Sequence, residues 1–274
     1  MVAKQAESVN RINTYSEAFK QFICADWAPY PAAPPAALPA TGPAAKRRAA
    51  LSAQFPGVRL VLPAGGLKPR NNDCDYRFRP DSAFAYFTGL GTDREPDAVL
   101  VMEPASGGHK ATLYFHPRVP RTDPEFYASS RYGEMWVGQR MSLDEMSALA
   151  ALPSAQIETL PDALTSGVPT AVLREADPDV AAMVDAARGA ADGRARQAGD
   201  VDRDGALKIA ASEARLFKDD FELSELRKAC DLTAQAFEAV VRELGAAQTK
   251  QKGERWIEGI FGLHARHDGN AIGY

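Results

Sequence analysis

The sequence has 274 residues, of which 45% are apolar and 25% are charged, so a sizeable buried core is possible. A net charge of −4 argues against nucleic acid as the main partner, because proteins that bind nucleic acid usually carry a basic face. There is no apolar run of about 18 residues to span a membrane and no secretory leader pattern, so we predict a cytoplasmic protein without a membrane partner. Three widely spaced cysteines fit neither a disulfide framework nor a zinc motif, and we expect Cys24, Cys74 and Cys230 to be reduced and mostly buried.

Residues 1–45 predict a helix followed by an extended tether. Over residues 10–27, Thr14 and Glu17 have the spacing of a capping box, and apolar side chains recur at helical spacing. Six prolines then fall between residues 28 and 45. Because proline fixes φ and removes a backbone donor, we expect this stretch to be an unpacked tether with little regular structure.

Residues 46–204 alternate between strand and helix patterns, which is typical of an α/β domain. The apolar run 98–102 lies between two prolines and is predicted to be a strand covered on both faces. Gly107-Gly108 is a plausible hairpin turn to the next strand. Ser142 with Glu145, and Asp177 with Pro178, are predicted helix starts. The other predicted elements are a helix over 44–55 and strands over 58–62, 112–116 and 170–173.

Residues 205–274 look like the start of a second domain. The small and polar stretch 189–205 predicts a linker or an exposed excursion. Asp219 and Glu222 then cap a long helix that we expect to end at Gly245, and a second helix begins near Gly253. No strand pattern follows, so these helices are expected either to pack back on the first domain or to leave an apolar face exposed.

The residues alone reveal no complete catalytic constellation, since neither a nucleophile elbow, nor an HExxH motif, nor a phosphate-binding loop occurs. His109 and His116 are expected to be solvated. His264 and His267 share a helix face near Asp268, which is compatible with a metal pair. A partly buried helix histidine with a hydrogen-bond partner is the favoured interpretation.

Two unusual segments leave their roles open. Residues 70–90 join a turn-forming Asn/Asp stretch to a dense aromatic cluster. This segment is either a loop folded over a sheet edge, which is favoured, or a ligand-recognition segment. In residues 133–140, Trp136 lies between glycines and is either a surface anchor or, as we prefer, a core plug.

Taken in order, these segments resemble the aminopeptidase P family over nearly all of residues 46–274. The residues that carry the resemblance are Arg70-Asn71-x-Asp73-x-x-Tyr76-x-Phe78-Arg79-x-x-Ser82-x-Phe84-x-Tyr86-Phe87-Thr88-Gly89, Glu95-Pro96-Asp97-Ala98-Val99-Leu100, Trp136-x-Gly138-x-Arg140, Arg215-Leu216-Phe217-Lys218-x-x-x-Glu222-x-x-x-Leu226-Arg227-x-Ala229, Arg266-His267 and Gly273-Tyr274. The first segment is long and specific, whereas the Arg215–Ala229 motif is shared with prolidase, creatinase and methionine aminopeptidase relatives.

The resemblance implies an N-terminal α/β domain with a mixed sheet of ribonuclease-H-like topology, followed by the first helices of a truncated α+β pita-bread domain. It implies an Xaa-Pro aminopeptidase that acts on proline-containing peptides with two manganese ions and a bridging hydroxide, and that assembles with itself as a dimer or tetramer. It also implies that every metal ligand lies beyond Tyr274, and that Tyr274 is the only residue of this sequence that matches a position lining the substrate site. Ala85 replaces a tryptophan that in some relatives reaches a neighbouring subunit's site.

We therefore expect residues 1–274 to be inactive alone. Two alternatives stay open. One is a non-catalytic truncated paralogue that acts in oligomerisation or peptide binding. The other is a prolidase-like peptidase of the same clan.

Overall fold

The computed structural model describes residues 15–72, 74–165, 167–189 and 198–272, and it contains two compact units, Met1–Ala214 and Arg215–Tyr274. The strands are β1 Arg59–Pro63, β2 Pro69–Asn71, β3 Cys74–Asp75, β4 Val99–Ala105, β5 Gly108–Phe115, β6 Ser154–Gln156 and β7 Thr170–Val172. The helices are α1 Glu17–Cys24, α2 Thr41–Gln54, α3 Ser82–Thr88, α4 Glu125–Ala128, α5 Glu134–Val137, α6 Leu143–Ala150, α7 Leu160–Leu164, α8 Pro178–Ala187, α9 Ala198–Glu213, α10 Asp220–Gln248 and α11 Gly253–His267.

The first unit is built on a five-stranded mixed sheet in the order β6-β5-β4-β1-β7. Strand β4 is antiparallel to both of its neighbours, whereas β1–β7 and β5–β6 are parallel pairs. The β4–β5 hairpin closes where Ala105 pairs with Gly108, and Gly107 between them takes a φ of 82° that suits glycine. The predicted hairpin and the predicted α/β class with a mixed sheet are therefore confirmed.

The central strand β4 is buried on both faces, as predicted. Its alternate side chains point to opposite sides of the sheet, so Leu100 and Met102 join one core while Val99 and Val101 join the other. The first core also takes aromatic residues of α3 and apolar residues of α2 and α6, and the second takes residues of α7 and α8.

The N-terminal segment differs from its prediction. Helix α1 is capped by Ser16, whose Oγ accepts from the N–H of Phe19, while Thr14 lies outside the described residues. The prediction of little regular structure over 28–45 holds for residues 28–40, which are in neither helix nor strand, and is wrong for residues 41–45, which are helical, with Ala44 fully buried. Leu38 packs against the main core and donates its N–H to the carbonyl of Leu149 at 2.9 Å.

The predicted linker over 189–205 is also wrong in its second half, because α9 begins at Ala198. Asp200 and Asp204 of this helix are buried and pair with Arg188. The predicted boundary between residues 204 and 205 falls inside this helix, whereas the two compact units divide after Ala214.

The second unit consists of α10 and α11, which pack Phe237 against Phe261 with ring centroids 5.1 Å apart. The capping box of Asp219 is confirmed. The predicted end at Gly245 is wrong, because α10 passes through it to Gln248; a helical glycine costs only about 1 kcal/mol. An apolar face is exposed, with side chains from Leu223, Leu226, Phe237, Val241, Leu244 and Leu263.

The cysteines are free, but the expectation that they are mostly buried is wrong. Cys74 and Cys230 are exposed, and Cys24 is partly exposed. Among the described residues, no helix is both long enough and apolar enough to cross a membrane.

Candidate functional site

The segment 70–90 divides into an exposed half and a buried half. Its first part forms the small β2–β3 hairpin, which is exposed throughout its described residues. Its second part forms α3, where the Asp81 carboxylate caps the helix by accepting from the N–H groups of Ala83 and Phe84. Phe84 and Phe87 are fully buried in the main core. The aromatic half therefore serves packing, in line with the favoured interpretation.

Helix α3 is held in place by two arginines of α2. The Arg48 guanidinium donates to the carbonyl of Phe87 at 2.6 Å, and the Arg47 guanidinium lies 4.1 Å from the ring centroid of Tyr86. Tyr86 in turn donates its hydroxyl to the carbonyl of Ala214 at 2.6 Å. The aromatic segment is thus a fixed part of the first unit.

The loop after α3 contains three acidic residues that alternate along the chain and share an unusual backbone. Asp93, Glu95 and Asp97 have φ values of 63°, 45° and 65°, in the left-handed region that favours glycine. Each carboxylate pairs with a different arginine. The pairs are Asp93 with Arg77 at 3.7 Å, Glu95 with Arg140 at 3.2 Å and Asp97 with Arg131 at 2.5 Å. These charge pairs supply interactions that offset the backbone strain.

Asp97 is the most densely bonded of the three. Its carboxylate accepts from two nitrogens of Arg131 and from the Tyr132 hydroxyl at 2.7 Å. Burial and the neighbouring Asp97 charge together raise the pKa of Tyr132 to about 12. Gly66 faces the same carboxylate, and a Cβ there would lie 2.9 Å from Asp97 Oδ1. Arg131, Tyr132 and Gly66 therefore lie directly against the Asp97 carboxylate.

Glu95 and Arg140 bring two of the recognised motifs together. Arg140 donates to the Glu95 carboxylate at 3.2 Å and to the carbonyl of His116 at 2.5 Å, and both charged side chains are largely buried. Burial raises the pKa of Glu95, although Arg140 acts in the opposite direction. The His116 ring lies against the Tyr132 ring, with centroids 4.3 Å apart.

The two histidines of the first unit are not solvated, so that expectation is wrong. His116 bridges the carboxylates of Glu125 at 2.8 Å and Glu158 at 3.0 Å. His109 places Nε2 2.7 Å from the carbonyl of Val58, which can only accept, so Nε2 carries the proton and Nδ1 accepts from Ser52 Oγ at 2.8 Å. The partners of both histidines lie outside the local sequence, so no local pattern predicted these hydrogen bonds.

Trp136 is a surface residue, so the preferred core-plug interpretation is wrong. Its side chain is 62% exposed, and its indole N–H donates to the carbonyl of Tyr127 at 2.7 Å. The buried residues of this segment are instead Arg140 and Gly133, and a Cβ at Gly133 would lie within 2.7 Å of three carbonyl oxygens. The tight turn at Gly133 sets the direction of α5 and thus the positions of Glu134 and Arg140.

The helical histidines of the second unit share one carboxylate. His264 and His267 contact Asp268 at 3.0 Å and 2.6 Å, which confirms the hydrogen-bond partner predicted for a helix histidine. Across the described part of the chain, no group of three or more His, Cys, Asp or Glu residues is arranged to hold a metal ion. Tyr274, the predicted substrate contact, lies outside the described residues.

The cluster around Glu95 and Asp97 therefore consists of mutually satisfied charges. Its bonds can fix the geometry of the loop 93–97 and of the turn at Gly133. Arg131, Tyr132 and Glu134 were not singled out from the sequence, because an arginine, a tyrosine and a glutamate at a loop end carry no periodic or motif signal.

Comparison with known proteins places this fold. Residues 44–170 match the family model described as aminopeptidase P, N-terminal domain. Xaa-Pro aminopeptidase 1 of Streptomyces coelicolor is 45% identical over 232 residues, covering 84% of this chain and 44% of that protein. Xaa-Pro aminopeptidase 2 of the same organism is 44% identical, covering 84% and 46%. Residues 44–170 of the first unit thus match an aminopeptidase P N-terminal domain.

Solved structures agree on the fold. Aminopeptidase P from E. coli, in a low-pH form, superposes with a TM-score of 0.61 at 23% identity, covering 84% of this chain and 50% of that one. The Pseudomonas aeruginosa aminopeptidase superposes with a TM-score of 0.61 at 25% identity, covering 85% and 50%. The chain belongs to the aminopeptidase P family of Xaa-Pro aminopeptidases, and it spans about half the length of the relatives it matches.

Proposed function

We propose that this chain is the N-terminal part of an Xaa-Pro aminopeptidase, which releases the first residue of peptides that have proline in second position. The observation that carries the proposal is 45% identity to a curated Xaa-Pro aminopeptidase over 84% of the chain. The paired charges around Glu95 and Asp97 support a positioning role for the first unit, because they leave the loop 93–97 rigid without a free catalytic group.

The family chemistry calls for two divalent ions, which we propose to be manganese, and a bridging hydroxide. The described residues do not fit such a centre, because they contain no group of three or more metal-ligating side chains. We therefore propose that the ligands belong to a part of the protein outside residues 1–274, and that residues 1–274 are inactive alone. We also propose a cytoplasmic dimer or tetramer in which the first unit shapes the peptide entrance.

The test compares two proteins on the same peptides. The intact mass of the protein made by its own organism is measured first, and that protein and recombinant residues 1–274 are then assayed with Mn²⁺ on a tripeptide with proline in second position. We expect an intact mass well above 29.5 kDa, with release of the first residue by the natural protein only. A matched tripeptide with alanine in second position should remain uncut.

Two results would contradict the proposal. Cleavage of the dipeptide Xaa-Pro but not of the tripeptide would identify a prolidase-like enzyme. A natural protein of 29.5 kDa without peptidase activity would identify a non-catalytic member that binds peptides or assembles.

A further inference from the structure

The segment before α2 lies in a defined groove of the first unit. We call residues 15–31 the arm, and the surface it contacts the arm groove. The groove residues are Arg118, Arg121, Phe126, Tyr127 and Glu134. The matched family domain begins only at residue 44, so the arm lies outside the matched region.

Tyr30 makes the central contact of the arm. Two guanidinium groups contact its ring, with Arg118 at 3.8 Å and Arg121 at 4.0 Å from the ring centroid. A cation over an aromatic face is attracted by the ring quadrupole, and here two cations use one ring. The Tyr30 hydroxyl donates to Glu134 Oε2 at 2.5 Å. The groove thus recognises both the ring and the hydroxyl.

Two further aromatic residues of the arm, Trp27 and Tyr15, also contact the arm groove. The Trp27 ring meets Phe126 edge to face at a centroid distance of 5.3 Å, and Tyr15 meets Tyr127 in the same way at 6.0 Å. Such edge-to-face pairs are favourable beyond the area they bury. Three aromatic residues of the arm therefore contact the groove in succession.

The prolines on either side of Tyr30 restrict its backbone conformation. Pro29 and Pro31 flank the tyrosine, and residues 27–31 are in neither helix nor strand. Proline-rich segments lose little conformational entropy on docking, which is why aromatic grooves recognise them in other proteins. The sequence Trp-Ala-Pro-Tyr-Pro thus has the character of a peptide ligand.

The arm is held less tightly than the core elements of the first unit. Helix α1 buries none of its residues, and Trp27 remains 45% exposed although its ring contacts the groove. Contacts made by half-exposed side chains through charge and ring edges are weaker than those of a core.

We propose that the arm groove is a recognition site for a tyrosine flanked by prolines, and that this chain's own arm occupies it reversibly. Glu134 connects the arm to residues outside the arm groove. Glu134 accepts from Tyr30 with one oxygen and from the backbone N–H of Arg140 with the other, at 2.6 Å. Arg140 in turn pairs with Glu95. Release of the arm removes one partner from the carboxylate that fixes this turn.

The first experiment frees the groove in the full chain and refills it from solution. Tyr30→Ala is compared with the unchanged chain for binding of a fluorescent peptide of residues 25–34. We expect the variant to bind the peptide about tenfold more tightly, because its groove is no longer occupied. The same peptide with alanine in place of tyrosine should not bind, and Tyr76→Ala, an exposed tyrosine outside the groove, should behave as the unchanged chain does.

A second measurement keeps the proposal testable if Tyr30→Ala folds poorly. Hydrogen exchange over residues 15–31 is measured in Tyr30→Phe, which keeps the ring and removes the hydroxyl that donates to Glu134. We expect exchange there to rise about threefold to tenfold, with the strands β1 and β4 unchanged. Equal peptide binding by Tyr30→Ala and the unchanged chain, or unchanged exchange in Tyr30→Phe, would overturn the proposal.

Discussion

Glu145 serves two elements with one carboxylate. It completes the capping box of α6 by accepting from the N–H of Ser142 at 2.8 Å, and it pairs with Arg118, which lies beyond β5. Burial alone would raise the pKa of Glu145, but the hydrogen bonds from Ser142 and Arg118 outweigh it and lower the pKa. The charged form is therefore the one that the fold stabilises.

This shift predicts how stability depends on pH. Because the folded pKa lies below the unfolded value of about 4.3, the contribution of Glu145 is present above that pH and is lost as pH falls through the folded pKa. Glu145→Gln should cost about 1–2 kcal/mol in the free energy of unfolding at pH 7 and less near pH 3. Urea unfolding at both pH values checks this. The exposed neighbour Asp144, changed to Asn, is the control, and a pH-independent loss would contradict the assignment.

A side chain at Gly133 is predicted to lower stability because there is no space for a Cβ, and not because of the backbone conformation. Its φ of −70° suits any residue, but a Cβ would lie 2.5 Å from the carbonyl oxygens of Glu125 and Ser129. Gly133→Ala should therefore cost about 1–3 kcal/mol. Gly91→Ala is the matched control, because nothing lies within 4 Å of a Cβ there. Equal thermal midpoints for the two variants would show that the turn adapts freely.

At the scale of elements, α9 depends on a buried aspartate. Asp204 accepts from the N–H of Val172 in β7 at 2.9 Å and from Arg188 at 2.7 Å, and Arg174 lies 3.4 Å from its second oxygen. One side chain therefore joins α9 to the edge strand and to the end of α8. This network explains why a stretch with the composition of a linker is helical.

The Asp204 network predicts that Ala and Asn substitutions lower the free energy of unfolding by different amounts. Asp204→Ala leaves the Arg188 charge without its closest partner and should cost about 3–5 kcal/mol. Asp204→Asn keeps an oxygen for the N–H of Val172 and should cost about half as much. Denaturant unfolding measures both variants, with the exposed Asp202→Asn as the control. Equal losses for Ala and Asn would show that the charge contributes nothing beyond the acceptor.

The comparison of sequence and structure separates local signals from distant ones. The capping boxes at Ser142 and Asp219 were predictable because all partners lie within one helical turn. Strand β4 was predictable because burial on both faces requires a continuous apolar run. Asp204, His109 and Arg131 were not, because each is defined by a partner more than twenty residues away. The site cluster is made almost entirely of such distant pairs.

At the scale of the whole molecule, the second unit exposes an apolar face. Phe237 and Val241 lie one helical turn apart on α10, and Leu244 follows three residues later. A contiguous apolar surface of this kind usually marks a contact with another surface.

This face predicts the behaviour of residues 1–274 expressed on their own. The chain should bind a hydrophobic dye and self-associate as its concentration rises, and Phe237→Ser with Val241→Ser should reduce both effects by about half or more. Dye fluorescence and sedimentation measure them. Glu238→Ser, on the same helix, is the control, and dye binding that is unchanged by the double substitution would locate the apolar surface elsewhere.

The parallel pairing of β1 with β7 has a consequence for biosynthesis. Arg59 and Thr170 are partners although they are 111 residues apart in the chain. At a synthesis rate of about 5–20 residues per second, β1 waits on the order of ten seconds for its second neighbour. During that interval β1 lacks the strand that covers its second edge, so its backbone donors and acceptors remain open to pairing with another strand.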